Sequence, residues 1–276
     1  MISLELENFS LAQIAASGQC FRMTDLKDGS FEIIADDRYL KAAQEGNIVN
    51  FGCGSLKELD FWIKYFDLEE NYAAFGEAVD PEDGYLSEAY RRGSGIRILR
   101  QDLWEVTASF LISQNNNISR IRRCIANICE QYGRKMQTED GVIYHAFPEA
   151  EAFAGLEPDA LMACNLGYRS KYLVRSAEMI ASGKISLDRI KRMRYPDAKA
   201  ELLKLYGVGG KVADCICLFA LHHLEAFPTD THIKQVLARE YPEGFPFARY
   251  GGYEGVIQQY IFYRELTDGK DGEINA

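Results

Sequence analysis

The chain lacks several features at once, and each absence narrows what it can be. No apolar run approaches the roughly 20 residues a membrane-spanning helix needs. The opening MISLELENFS has neither the basic end nor the apolar core of a signal peptide. A soluble intracellular protein is therefore expected, cytoplasmic or nucleoid-associated in a bacterium and nuclear otherwise. No CxxC pair is present, and the seven cysteines (Cys20, Cys53, Cys124, Cys129, Cys164, Cys215, Cys217) are odd in number and scattered. That argues against a closed zinc or iron–sulfur site and against a disulfide framework, and it fits reduced thiols. There is no internal repeat and no low-complexity segment. Positive charge is also short, with 31 Lys and Arg against 41 Asp and Glu, a net of −10. Spread evenly, such a deficit would argue against a polyanionic partner.

The charge is not spread evenly. Residues 1–90 hold 6 basic side chains against 18 acidic ones, a net of −12, which leaves +2 on residues 91–276. Within 91–135, nine basic residues face only Asp102, Glu105 and Glu130. Any one such cluster is more often a solvated helix face, but the asymmetry as a whole points to two regions with different duties. With 276 residues, 47% of them hydrophobic, there is material for one large domain or two ordinary ones.

The local patterns divide the chain in the same place. Phe31–Ile34 and Ile48–Phe51 are short runs rich in β-branched and aromatic residues, separated by polar turns, as in a small antiparallel sheet. Ser55 to about Tyr65 reads as a helix capped by Ser55 with Glu58 three residues on. Asp80-Pro81-Glu82-Asp83-Gly84 is turn chemistry and the strongest internal boundary. Beyond it the chain reads as helix upon helix: Ile118, Ile121, Ile125 and Ile128 recur at helical spacing, and Leu218 to Leu224 continues a strongly apolar helix. The expected fold is α+β, with an N-terminal antiparallel sheet domain with helices over 1–90 and an all-helical domain over 91–276.

The most informative stretch is Leu203-Lys204-Leu205-Tyr206-Gly207-Val208-Gly209-Gly210-Lys211. A helix ends in a tight Gly-Val-Gly turn and another begins at once, so backbone N–H groups of the turn and the helix start point outward. Such a nest holds a phosphate without a large net positive charge. The helix–GVGG–helix frame matches the helix-hairpin-helix module that grips DNA backbone. Lys211 falls in the first turn of the new helix, where the dipole disfavours a cation. The plain role for such a lysine is a phosphate contact; the sharper one is an amine nucleophile. Nineteen residues on, Asp230 in Phe227-Pro228-Thr229-Asp230-Thr231-His232 reads as a helix N-cap. It can equally serve as an anionic partner for positive charge on a sugar.

At this point the sequence resembles a known family. KVADCICLFAL followed by FPTDTH looks like the active-site segment of the 8-oxoguanine DNA glycosylase/lyases, within the helix-hairpin-helix glycosylase superfamily. Ser17-Gly18-Gln19-Cys20-Phe21-Arg22 is similar to the family's SGQxFRW, with Met23 in place of the tryptophan. Ile98-Leu99-Arg100-Gln101-Asp102, Asn115-Asn116-Asn117-Ile118-Ser119-Arg120, Leu166-Gly167-Tyr168-Arg169 and the run Tyr253 to Phe262 resemble further family segments. The matches extend from about residue 9 to residue 266.

The resemblance implies roles residue by residue. Lys211 would attack the sugar C1′, and Asp230 would stabilise the cationic transition state and assist proton transfer. The Gly18 carbonyl would accept the proton that oxidised guanine carries on N7. Cys215 and Phe262 would sandwich the extruded base, and Gln258 would read its pairing edge. Asn115, Arg120 and Arg169 would engage the orphaned cytosine, with Tyr168 as a wedge. Gly207, Gly209 and His232 would contact backbone phosphate. Carbonyls of Leu203, Leu205 and Val208 would offer a site to a monovalent cation. No catalytic metal or redox cofactor is implied, and cluster-bearing relatives carry a C-terminal cysteine set, whereas this chain has no cysteine after Cys217. The expected partner is double-stranded DNA containing oxidised guanine, with no membrane, and the enzyme is expected to be a monomer.

Helical spacing agrees with part of this, since Lys211 and Cys215, and Gln258 and Phe262, are each four apart and share a helix face. Two other readings compete. One is a monofunctional glycosylase for alkylated bases, which would use the aspartate and water without the lysine. The other is a non-catalytic helix-hairpin-helix DNA-binding protein.

Overall fold

The computed structural model describes residues 1–274, with side chains to Asp268. Strand pairing organises the N-terminal region. β1 (Ile2–Glu5), β2 (Met23–Asp25), β3 (Ser30–Ala35), β4 (Arg38–Glu45) and β5 (Ile48–Phe51) form one antiparallel sheet in the order β1-β5-β4-β3-β2, with α1 (Leu11–Ala16) between the first two. Phe31, Ile33 and Ala35 alternate inward along β3, the period of a half-buried strand. The two-residue turn to β4 puts Asp36 at φ 52°, the backbone a tight hairpin demands. α2 (Leu56–Tyr65) closes the sheet's inner face. Ser55 Oγ accepts from Glu58 N at 3.2 Å while the Glu58 carboxylate accepts from Gly54 N at 2.9 Å, a reciprocal cap. Trp62, Phe51, Phe66, Leu40 and Ile33 fill this core.

The remainder is helical apart from one short hairpin: α3 (Tyr72–Glu77), α4 (Gly84–Gly93), α5 (Leu103–Ser113), α6 (Ile118–Tyr132), α7 (Arg169–Ala181), α8 (Leu187–Ile190), α9 (Tyr195–Leu202), α10 (Gly210–Phe219), α11 (Thr231–Glu240) and α12 (Glu254–Ile274). The hairpin, β6 (Lys135–Gln137) with β7 (Ile143–His145), was not expected from a helical pattern. It leans on the sheet, where Tyr144 Oη donates to the Asp37 carbonyl at 2.8 Å. Tyr72, Val79, Leu86 and Ala89 pack into the helical core although they precede residue 90, while Leu99 packs into the sheet core. The apolar run to Leu224 is not one helix. α10 stops at Phe219, and His222 adopts φ 56° with its Nε2 3.0 Å from Asp67 Oδ2 of the sheet region. That polar anchor turns the chain where hydrophobicity alone predicts continuation.

Polar contacts fix the segment Ser17–Arg22 against the stretch that joins α4 to α5 and against α5 itself. Gln19 Nε2 donates to the Arg97 carbonyl at 2.8 Å, its Oε1 accepts from Leu99 N at 2.9 Å, and its own carbonyl accepts from Gln101 Nε2 at 3.0 Å. Arg22 pairs with Glu105 at 3.0 Å inside the interface. Among the described residues, no helix is long and apolar enough to cross a membrane.

Candidate active site

Two helix starts and one loop surround a cavity of about 1290 Å³ between the sheet region and the helical body. α10 begins at the Gly209–Gly210 turn, and α11 begins at Asp230. Both N-termini open into the cavity, so their unpaired N–H groups and dipoles make its rim attractive to anions. Gly207 supplies the turn: its φ is 87°, and a Cβ there would lie 2.6 Å from Tyr172 Cγ, so only glycine fits.

Lys211 lies in the first turn of α10 and lines the cavity, with Nζ 5.2 Å from the centre of the Phe110 ring. It rests near Cys215, one helical turn on. Burial pushes the Cys215 thiol up to about 11, and Lys211 opposes that rise, so near neutral pH the sulfur stays a thiol and offers no competing thiolate. Asp230 also lines the cavity. Its Oδ1 accepts from Ile233 N at 2.8 Å, the N-cap anticipated from sequence, which locks the carboxylate in place at the helix start. His232 follows, exposed on the rim. A lysine and a carboxylate therefore share one cavity, each held by the first turn of its own helix.

The sheet region supplies the opposite wall. Gly18 has φ 75°, and a Cβ on it would lie 3.1 Å from Phe262 Cε1, so the strap and the aromatic ring are in contact. Gly18 and Phe262 both line the cavity. Cys215 and Gln258 do not reach its surface. Both are buried, and Gln258 donates to the Pro228 carbonyl at 3.0 Å while accepting from Gln259 at 3.1 Å.

The polar loop Gln114–Asn117 separates α5 from α6 and forms a further edge of the cavity. Asn115 takes φ 47°, which asparagine tolerates, and its Nδ2 lies 3.3 Å from Tyr168 Oη. Tyr168 is 51% exposed, and Arg120 is exposed at the start of α6. Arg169 is placed differently. It is buried, and its nitrogens donate to the carbonyls of Gln114 (2.7 Å), Asn115 (2.6 Å) and Leu166 (3.3 Å), bracing the loop from beneath. Gln114 has no individual role from sequence, only membership of the polar block; its Nε2 donates to the Gly207 carbonyl at 3.0 Å, tying the loop to the hairpin turn. Its place inside the polar block beside Asn115 was the only signal. Among the described residues, no group of three or more His, Cys, Asp or Glu side chains is arranged to hold a metal ion.

Two family models, meeting within α5, cover most of the chain. Residues 1–107 match the family model for the 8-oxoguanine DNA glycosylase N-terminal domain, and residues 108–243 match that for HhH-GPD superfamily base excision DNA repair proteins. The N-glycosylase/DNA lyase of Saccharomyces cerevisiae is 32% identical over 266 residues, covering 87% of this chain and 70% of the yeast protein. A probable N-glycosylase/DNA lyase of Methanothermobacter thermautotrophicus is 30% identical, covering 74% and 72%. The 8-oxoguanine glycosylase/lyase of Clostridium acetobutylicum, solved with double-stranded DNA containing cytosine opposite 8-oxoG, superposes with a TM-score of 0.89 at 34% identity, covering 95% of this chain and 93% of that one.

Proposed function

Since the chain belongs to the 8-oxoguanine DNA glycosylase family of HhH-GPD proteins, we propose that it excises 8-oxoguanine lying opposite cytosine in duplex DNA and then cleaves the strand, as a bifunctional glycosylase/AP lyase of base-excision repair. The observation that carries this reading is that Lys211 and Asp230 line one cavity, the first in the opening turn of α10 and the second capping α11. Monofunctional excision would need the aspartate and water alone and leaves Lys211 without a task. A non-catalytic binder accounts for Asp230 as an N-cap and for the helix ends as phosphate grips, but not for an amine and a carboxylate lining one cavity.

A base inside the stack is out of reach, so the nucleotide must swing into the cavity, at a cost of about a few kcal/mol. The glycosidic bond breaks with positive charge growing on the sugar, which the Asp230 carboxylate stabilises at short range. The Lys211 nitrogen bonds to C1′ as the base departs with its electron pair and takes up a proton. Ring opening gives a Schiff base, loss of a C2′ proton expels the 3′ phosphate by β-elimination, and water regenerates the lysine. No redox step occurs. The Gly18 carbonyl accepts the N7 proton of the oxidised base, whose entry requires Phe262 to stack on it rather than on Gly18. Asn115 and Arg120 face the orphaned cytosine beside the Tyr168 wedge. Arg169 joins them only by releasing a loop carbonyl, and Gln258 only by releasing Pro228. The hairpin also offers acceptors to a monovalent cation: the carbonyls of Leu203 and Val208 accept no hydrogen bond among the described residues, and that of Leu205 accepts one from Val208 N at 3.2 Å.

Borohydride reduction during reaction with an 8-oxoguanine:cytosine duplex tests the reading. A covalent protein–DNA adduct is expected, and Lys211→Gln should abolish it. No adduct from the intact chain, or full adduct from the variant, would defeat the lyase assignment.

A further inference from the structure

Three tyrosines pack in a line from Asn115 of the polar loop to the hairpin turn. Tyr168 packs edge-on against Tyr172 at 5.5 Å, and Tyr172 against Tyr206 at 5.8 Å. Tyr206 precedes the glycine of the hairpin turn, is 38% exposed, and has its carbonyl fixed by Ser176 Oγ at 2.9 Å. Two cations lie over this one ring: Lys171 Nζ is 5.9 Å and the Arg175 guanidinium 5.5 Å from its centre. They stand four apart on α7, hence on one face, and both are exposed. Neither is paired with a carboxylate among the described residues. Gathering two like charges on one aromatic surface raises their mutual repulsion, and the ring's negative face offsets only part of it. An anion set between them relieves the rest.

We propose that Lys171, Arg175 and Tyr206 form a second backbone-binding site, beside the hairpin nest, that takes the phosphodiester backbone of duplex DNA flanking the damaged nucleotide. The proposal rests on the DNA reading of the cavity and extends it. The exposed ring, flanked by cations, offers a sugar a stacking surface and two neighbouring phosphates a charge each, in the manner of sequence-independent nucleic-acid contacts. Because Tyr206 adjoins Gly207, and Gly207 holds Gln114 of the reading loop, backbone engaged here also fixes the loop and the Tyr168 wedge in register with the hairpin.

Fluorescence anisotropy with a duplex carrying a tetrahydrofuran abasic site, titrated across salt concentrations, reads this directly. Removing both charges (Lys171→Gln with Arg175→Gln) should make the slope of log affinity against log salt shallower by about 2, each phosphate contact contributing roughly 0.9. Removing two cations from α2 (Lys57→Gln with Lys64→Gln) should leave the slope as it was. Tyr206→Leu should weaken binding about fivefold or more, and Tyr206→Phe should restore it. A wild-type slope and affinity in the double α7 variant would overturn the proposal. Its failure is separable from failure of the lyase reading: the slope speaks only of this site, the borohydride adduct only of Lys211.

Discussion

The sheet region and the helical region meet the cavity in opposite ways. The first, with net −12 over residues 1–90, presents mostly backbone and apolar surface there, through Ala15, Gly18, Phe21 and Phe31. The second presents helix starts, side-chain amides and cations; over residues 168–211 eleven basic side chains stand against four acidic ones. The difference separates two requirements of a base-excising enzyme. Holding a polyanion needs positive potential, which oriented N–H groups and local cations supply whatever the total charge. Inspecting a flipped base needs a wall placed to within a fraction of an ångström of the reacting groups. Under the proposed function the sheet region would be that wall, and buried polar contacts, not DNA, hold it in position.

Breaking those contacts should give the largest effect. Arg22 and Glu105 are 7% and 13% exposed, and Arg22 also donates to the His145 carbonyl. Arg22→Gln strands a buried carboxyl and should cost about 3–5 kcal/mol once that carboxyl is ionised, read by urea unfolding. Burial, opposed by Arg22, raises the Glu105 carboxyl from 4.5 to about 7. The folded chain then keeps a proton that the unfolded chain has already lost, so this group's contribution to stability falls as pH rises from about 4.5 to about 7. Glu105→Gln should flatten that part of the profile, and the Arg22→Gln deficit should be greater at pH 8 than at pH 5. Equal deficits at the two pH values would show that the interface does not depend on this pair.

These interface groups also mark the limit of what the sequence discloses. The hairpin, Lys211 at a helix start and the Asp230 cap are legible because each is local backbone chemistry, set by glycine, a dipole or a capping side chain within a few residues. The family resemblance adds their roles. β4 (RYLKAAQE) carries little strand propensity and forms because β3 and β5 pair with it on either side. The end of α10 is hidden for a related reason, since Asp67, 155 residues away, holds His222. Arg169 reads in sequence as a free donor fork, yet three carbonyls brought together by folding occupy it.

Gly18→Ala should act at an intermediate scale. The φ of 75° strains any L-residue by about 1–2 kcal/mol, and the added methyl presses on Phe262. Gly155, at φ 84° with nothing within 4 Å of its missing Cβ, supplies the control: Gly155→Ala pays the backbone strain alone. Both variants should melt earlier. Only Gly18→Ala should lose selectivity for oxidised over normal guanine, by about tenfold, the worth of one neutral hydrogen bond. Equal selectivity in the two variants would remove Gly18 from base inspection and reduce the sheet region to a scaffold.

The smallest effect belongs to the acidic surface itself, and it tests whether that charge faces the duplex. β2 is the sheet edge at the cavity, where Asp25 lines the wall; β1 is the opposite edge, four strand spacings away. At about 4.8 Å per spacing that is roughly 19 Å, beyond two Debye lengths of about 8 Å at 0.15 M salt. Glu5 in β1 and Glu7 just after it are exposed. Changing both to Gln removes two negative charges, as large a change in net charge as the Lys171/Arg175 variant makes in the other direction. Affinity for duplex at 0.15 M salt should nevertheless shift by less than about twofold, with a larger gain only near 0.01 M, where the screening length reaches about 30 Å. Asp25→Asn, one charge at the near edge, should tighten binding more than both distant changes together. A reversed order would place the far edge of the sheet against DNA, and the division between an acidic outer face and a DNA-facing cavity would fail.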